Sequence, residues 1–211
     1  MPHPGRMLTL PASDRVVTLV GTAFAVSPTG VLATSAHLVD PGDAQLMEAV
    51  AQRAAPDGAL LAPDGARRRV RDGAAPVGVR VLGVRVWPAY PAGTSPEAVR
   101  ALPARVVRGG VDHAEDVALV RVAAAHDLPA LMVRGDASAG TAVTVVGFGS
   151  TAGGGPAEPW VRAGVFVGGV DRGALPVDPV VDAVVVTGDS GGPVLGPDGT
   201  VRAMVTSRIQ Q

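Results

Sequence analysis

Residues 188–193 read Gly-Asp-Ser-Gly-Gly-Pro. A nucleophilic serine needs its hydroxyl exposed on a tight loop. Flanking glycines let the backbone take conformations that a Cβ would forbid, and let a reacting group come close. On such a loop the amides of Gly188 and Ser190 can converge on one point and stabilise a developing oxyanion. The chemistry this implies is acyl transfer through Ser190. The plainer reading, a turn between strands that happens to contain a serine, is weakened by what else the chain carries.

A serine hydroxyl is a poor nucleophile near neutral pH, so it needs a base, and the base needs an orienting acid. Of the four histidines, His3 lies in a proline-rich N-terminus, and His113 and His126 lie in polar, turn-like segments. His37 follows an apolar run, Val31 to Ala33, and a small-residue turn, and it precedes the serine motif. It is the candidate base. The candidate acid is Asp116, which opens Asp-Val-Ala-Leu-Val-Arg-Val, an aspartate at the mouth of a half-buried strand. Asp112 and Glu115 are rivals, but neither runs directly into the alternating segment.

The elements that must hold these residues read as short strands. Valine-rich runs recur at 15–20, 77–86, 117–122, 143–147, 161–170, 180–186 and 201–206. Several alternate with polar residues or arginine, the period of a half-buried strand. The 28 glycines and 19 prolines punctuate these runs, and Pro28-Thr29-Gly30 and Pro197-Asp198-Gly199 read as hairpin turns. Only 43–54 has a helical pattern, with Asp43 as cap and Leu46, Met47, Val50 and Ala54 on one face.

At 211 residues the chain fits one domain with a sizeable core. A net charge of −1 gives no steering toward nucleic acid or anionic membranes. All 18 basic residues are arginine, and with the excess of Ala, Gly and Pro this suggests a GC-rich bacterial coding sequence. There is no cysteine, hence no disulfide framework. The Met-Pro-His-Pro-Gly-Arg start has no apolar signal-peptide stretch and no run reaches transmembrane length, so the expectation is a cytoplasmic protein. Arg67, Arg68 and Arg69, with Arg71 nearby, form one basic cluster. Asp57, Asp64 and Asp72 beside it favour a solvated loop over a docking patch.

Five segments together resemble the trypsin-like (chymotrypsin-fold) serine peptidases, most in the style of the bacterial Deg/HtrA branch. They are Gly21-Thr-Ala-Phe-Ala-Val, Thr34-Ser-Ala-His37-Leu-Val, Asp116-Val-Ala-Leu-Val, Val145-Val-Gly-Phe-Gly and Gly188-Asp-Ser-Gly-Gly-Pro. The order His, Asp, Ser matches that family and differs from the subtilisin and α/β-hydrolase orders. The resemblance runs from about 16 to 208. It implies an all-β fold of two barrels, with His37 and Asp116 on the first, about 14–123, and Ser190 on the second, about 140–211. The implied activity is serine endopeptidase, acting on a peptide or protein with no metal or organic cofactor. A non-catalytic protease-fold module that binds a peptide or protein is the alternative, and an esterase using the same site is a third reading.

Three features depart from the family pattern. His37 and Asp116 are 79 residues apart, a long interval whose surplus falls in about 40–75. That segment is an expected insertion on the first barrel, carrying the short helix. Asp189 lacks the freed α-amino group that pairs with this acid in the digestive enzymes, since no Arg-Ile-Val-Gly-Gly-like activation site precedes Gly21; the expected substitute is an arginine, or else the site orders only when a partner or substrate arrives. Finally, the strand 201–208 expected to wall the substrate pocket is followed by no further strand. The second barrel therefore looks incomplete, to be closed by a partner or a missing C-terminal region, unless the domain is degenerate. By the resemblance, Val184 lies at the base of that pocket, with Thr206, Ser207 and Arg208 on its wall. An uncharged base favours apolar side chains, unless Arg208 swings in to recruit an acidic one.

Overall fold

The computed structural model describes residues 21–40, 83–89, 95, 99–109, 116–123, 127–148, 159–170 and 178–206, together with four short paired strands outside these ranges. The strands in chain order are β1 (Met7–Leu8), β2 (Ala23–Ser27), β3 (Val31–Ser35), β4 (Ala59–Leu61), β5 (Arg67–Arg69), β6 (Val79–Arg80) and β7 (Val84–Val86). They continue with β8 (Leu102–Gly109), β9 (Val117–Val122), β10 (Ala142–Gly147), β11 (Trp160–Val170), β12 (Asp178–Asp182), β13 (Pro193–Leu195) and β14 (Val201–Met204). Among the described residues the only helix is α1 (Ala36–Val39), and none is long and apolar enough to cross a membrane.

Two five-stranded antiparallel sheets, each curled as a half-barrel, carry the fold. Their strand orders are β2-β3-β9-β8-β7 and β12-β11-β10-β13-β14. The all-β, two-barrel expectation is therefore met. The strands form where alternation lets one face be buried. In β9 Ala118, Val120 and Val122 point inward, and in β10 Val143, Val145 and Gly147 do. The first core gathers Leu32, Ala36, Val39, Ala118, Val120 and Val122; the second gathers Val143, Val145, Phe166 and Val194. A third cluster of Phe24, Ala33 and Val201 joins the two sheets. Strand β3 is buried on both faces for this reason, with Leu32 in the first core and Ala33 in the seam.

The connection between the sheets is stitched to both. Leu131 N–H donates to Ala25 O on β2 (2.8 Å), and Val201 N–H on β14 donates to Met132 O (2.8 Å). The Pro28–Gly30 and Pro197–Gly199 segments turn as expected between β2 and β3 and between β13 and β14.

Several elements differ from the sequence reading. Strand β8, with Leu102, Ala104 and Val106 half-buried against the first core, was obscured by Pro103 and two arginines. Pro103 is accommodated one residue into the strand, opposite edge strand β7. The run 180–186 pairs only through Asp182; beyond it Ala183 and Val185 still pack on the second core. Alternation reports burial, and burial here outlasts the ladder. Arg67–Arg69, read as a loop, is strand β5, paired with β4. The helix expected at 43–54 and the run 15–20 lie outside the described residues, as do 207–211, so β14 is an edge among those described.

Candidate active site

The register of β3 with β9 brings His37 to Asp116. Ser35 pairs with Val117 at the end of the ladder, so the next residues on each strand, Ala36 and Asp116, must meet. Ala36 N–H donates to Asp116 O at 2.9 Å. Asp116 is the one non-glycine residue at positive φ (36°) among those described. Such a conformation is costly for most side chains, is tolerated best by Asp and Asn, and persists only where the surrounding structure over-determines the backbone.

It turns the carboxylate back onto the start of α1. Oδ1 accepts the His37 backbone N–H at 2.9 Å and Oδ2 lies 2.8 Å from His37 Nδ1. Asp116 thus caps a helix whose own N-cap residue, Ser35, spends its hydroxyl elsewhere, on Val205 O at 3.1 Å. Two-point contact fixes both the main chain and the ring of His37. A carboxylate on Nδ1 favours the tautomer protonated there, leaving Nε2 as the acceptor. Both side chains keep partial access to solvent, 21% for His37 and 24% for Asp116. The rivals Asp112 and Glu115 lie outside the described residues, as do His3, His113 and His126.

Ser190 sits half-buried in the turn between β12 and β13. That turn docks on the sheet that carries His37. Thr22 N–H donates to Ser190 O (2.7 Å) and Thr22 Oγ1 donates to Gly188 O (2.8 Å). Behind the serine, Gly191 N–H donates to Val205 O (2.6 Å), and Gly192 N–H to Asp189 O (2.8 Å). Gly191 has φ of 84°, and a Cβ there would lie 2.1 Å from Thr22 O, so only glycine fits. The amides of Gly188 and Ser190 donate to no acceptor among the described residues.

Asp189 is fully buried and has the arginine partner the sequence called for. Arg162 Nη1, on β11, lies 2.5 Å from Asp189 Oδ2, and Val186 N–H donates to the same oxygen at 2.8 Å. The guanidinium lies 5.0 Å from the centroid of the Trp160 ring, within cation–π range. Asp189 Oδ1 and Arg162 Nη2 are buried with no hydrogen-bond partner among the described residues. The carboxylate needs room: a Cβ on Gly147 would stand 2.2 Å from Oδ1.

Of the residues expected to line a substrate pocket, Val184 is 70% exposed between inward-facing neighbours. Thr206 is half-buried just past β14, while Ser207 and Arg208 lie outside the described residues. Sequence reasoning overlooked Thr22. Its signal was present, since it stands in the Gly21-Thr-Ala-Phe segment, but nothing local says that its hydroxyl reaches across the sheets.

Two curled antiparallel sheets of this topology are the architecture of the trypsin-like two-barrel fold. The family described as trypsin-like peptidase domain matches residues 21–204, and the chain belongs to that family. Among the solved structures that share the fold, three align with this chain at 18% identity each. The apo protease domain of MamO from Magnetospirillum magneticum aligns with a TM-score of 0.52 over 89% of this chain and 76% of its own. Deg5 aligns at 0.54 over 89% and 73%. The HtrA-type protease AlgW, solved with a decapeptide, aligns at 0.55 over 91% of this chain but only 44% of its own. At that identity the likeness is one of fold. No curated protein matches the chain.

Proposed function

We propose that this protein is a serine endopeptidase in which Ser190 is the nucleophile, His37 the general base and acid, and Asp116 the orienting carboxylate. The observation that carries the reading is the two-point hold of Asp116 on His37, at 2.9 Å to the backbone and 2.8 Å to Nδ1. A structural ion pair would not need a positive-φ aspartate that fixes ring and main chain together.

In this mechanism Nε2 of His37 takes the proton of Ser190 Oγ as that oxygen bonds to the peptide carbonyl carbon. The carbonyl oxygen gains the negative charge and is held by the amides of Gly188 and Ser190. Collapse of the tetrahedral intermediate breaks the C–N bond, and His37 passes the same proton to the departing amine. Water, deprotonated by His37, then cleaves the acyl-enzyme and restores Ser190. Asp116 stabilises the imidazolium throughout without taking up its proton.

The family resemblance assigns Val184, Thr206, Ser207 and Arg208 to the site for the side chain before the cut. Valine supplies no charge there, so Ala, Val or Leu gains about 1–3 kcal/mol on burial, while an unpaired cation is disfavoured. A peptide-library profile dominated by Lys or Arg refutes this pocket, and one dominated by Glu or Asp assigns it to Arg208.

The direct test is a fluorophosphonate probe. Covalent labelling of the folded protein, mapped by mass spectrometry to Ser190 and lost in Ser190→Ala, is the expected result. A folded sample that does not label, or labelling that survives in Ser190→Ala, overturns the assignment.

A further inference from the structure

We propose that Thr22 is the positioning residue that sets the oxyanion geometry of this site, a role that rests on the peptidase reading above. Thr22 is 2% exposed and stands just ahead of β2, on the sheet that carries His37. All of its polar atoms are engaged. Its N–H holds Ser190 O at 2.7 Å, and its hydroxyl donates to Gly188 O at 2.8 Å. The same hydroxyl accepts Phe148 N–H at 3.0 Å, and its carbonyl accepts Thr34 Oγ1 at 2.7 Å. Gly188, Ser190 and Phe148 belong to the second half of the fold, Thr34 to the first.

One residue therefore pins the carbonyls of both residues whose amides are assigned to the oxyanion. This matters most at Gly188. With φ of 99° and no side chain, it has no local restraint on its dihedrals. Holding its carbonyl from Thr22 Oγ1, while the next amide, Asp189 N–H, is held by Val186 O at 3.1 Å, fixes that peptide at both ends. Fixing it anchors one of the two peptide planes that meet at Gly188 Cα, and so narrows the backbone freedom of the residue whose amide, on the preceding peptide, is assigned to the reacting oxygen. Thr34 completes the chain of contacts: it directly precedes Ser35 on the strand that leads into His37, so the donor pair and the base are referred to one frame.

The hydroxyl works as donor and acceptor at once. Serine can reproduce this, and valine, of nearly the same shape, cannot. Preorganised donors matter where charge develops, so loss of the hydroxyl should act on the transition state more than on substrate binding. In Thr22→Val, kcat is expected to fall about 10- to 100-fold with KM within about twofold, and the affinity of a peptide boronate to weaken in step with kcat/KM. Rates are taken per active site, counted by fluorophosphonate titration, so a partly unfolded sample does not imitate the effect. Thr22→Ser should stay within about threefold of wild type. Val120→Ala, a truncation in the first core at a residue 1% exposed, should lower the thermal midpoint without lowering kcat per titrated site. Thr22→Ala is the second variant if valine is not accommodated, and the same loss of kcat is required of it.

Unaltered kcat in the hydroxyl-less variant overturns the proposal. So does Thr22→Ser as impaired as Thr22→Val, or an equal loss of kcat in Val120→Ala. An active wild type with any of these results removes the role of Thr22 alone. A folded wild type inert to the fluorophosphonate removes the peptidase reading and this inference together.

Discussion

Replacing Arg162 by Met isolates what holds the residue ahead of the nucleophile. Asp189 is fully buried, and Arg162 retains 13% exposure of its side chain. Methionine keeps an apolar stem beside Trp160 but leaves the carboxylate with one remaining donor, Val186 N–H at 2.8 Å. Removing one partner of a buried ion pair costs about 3–5 kcal/mol, because the other charge is stranded. Arg162 keeps an edge toward solvent, so the lower part of that range is expected, about 3–4 kcal/mol. For a domain of this size that is a fall in thermal midpoint of roughly 6–16 °C, large against a total stability of about 5–15 kcal/mol.

A stranded carboxylate has two ways to lower its cost, taking a proton or swinging toward water. The second withdraws the anchor from Val186 and loosens the turn that presents Ser190. Fluorophosphonate labelling should therefore slow by about tenfold or more in samples still folded at the assay temperature. The double variant Arg162→Met, Asp189→Asn removes both charges and should regain at least about 1 kcal/mol over Arg162→Met alone. Denaturant titration gives the energies and the labelling rate gives the site. The reasoning is refuted if Arg162→Met unfolds within about 1 kcal/mol of wild type and labels at the wild-type rate. It is refuted equally if the double variant is no more stable than the single.

Three further outcomes are expected. Asp116→Asn suits the positive φ and keeps the backbone, but it favours the wrong imidazole tautomer; turnover should fall by about 10⁴-fold with little change in thermal midpoint. Gly147→Ala would put a methyl 2.2 Å from Asp189 Oδ1, so the carboxylate must move, and both stability and labelling should drop more than for Gly164→Ala. Thr200, through its hydroxyl and its N–H, and then Arg202 hold exposed Asp198 down to a pKa of about 2 from 3.8. A depressed carboxylate stabilises the fold above its unfolded value and loses that contribution as pH falls through the folded one. The stability gap between wild type and Asp198→Asn, read by denaturant midpoint, should be present at neutral pH and close between pH 3.8 and 2.

Much of the fold was legible along the chain because strand burial is a local pattern. Val117–Val122 was marked by its alternation, and the turns at Pro28–Gly30 and Pro197–Gly199 by residues that set backbone angles. Strand β8 was not legible, since Pro103 and its arginines disguise a half-buried face that only packing on the first core defines. In 183–186 the alternation was real, but hydrogen-bond pairing depends on a neighbour, and the pattern carries no information about neighbours.

The candidate site divides in the same way. Ser190 could be named from sequence because its requirement is conformational: glycines must stand next to it for the turn to exist at all. His37 and Asp116 could be proposed from the strands that end beside them, and the β3–β9 register puts Ala36 against Asp116, while Asp112 and Glu115 lie outside the described residues. Any of 18 arginines met the need of Asp189, and only the pairing of β10 with β11 places Arg162 beside it. Thr22 stood in the Gly21-Thr-Ala-Phe segment without a role, because the partners of its N–H and hydroxyl lie 126 to 168 residues away. Dihedral preference and periodicity are short-range and written in neighbouring residues. Which hydroxyl, carboxylate or guanidinium meets a given group is decided by how the two sheets close on each other, and that exists only once the chain has folded.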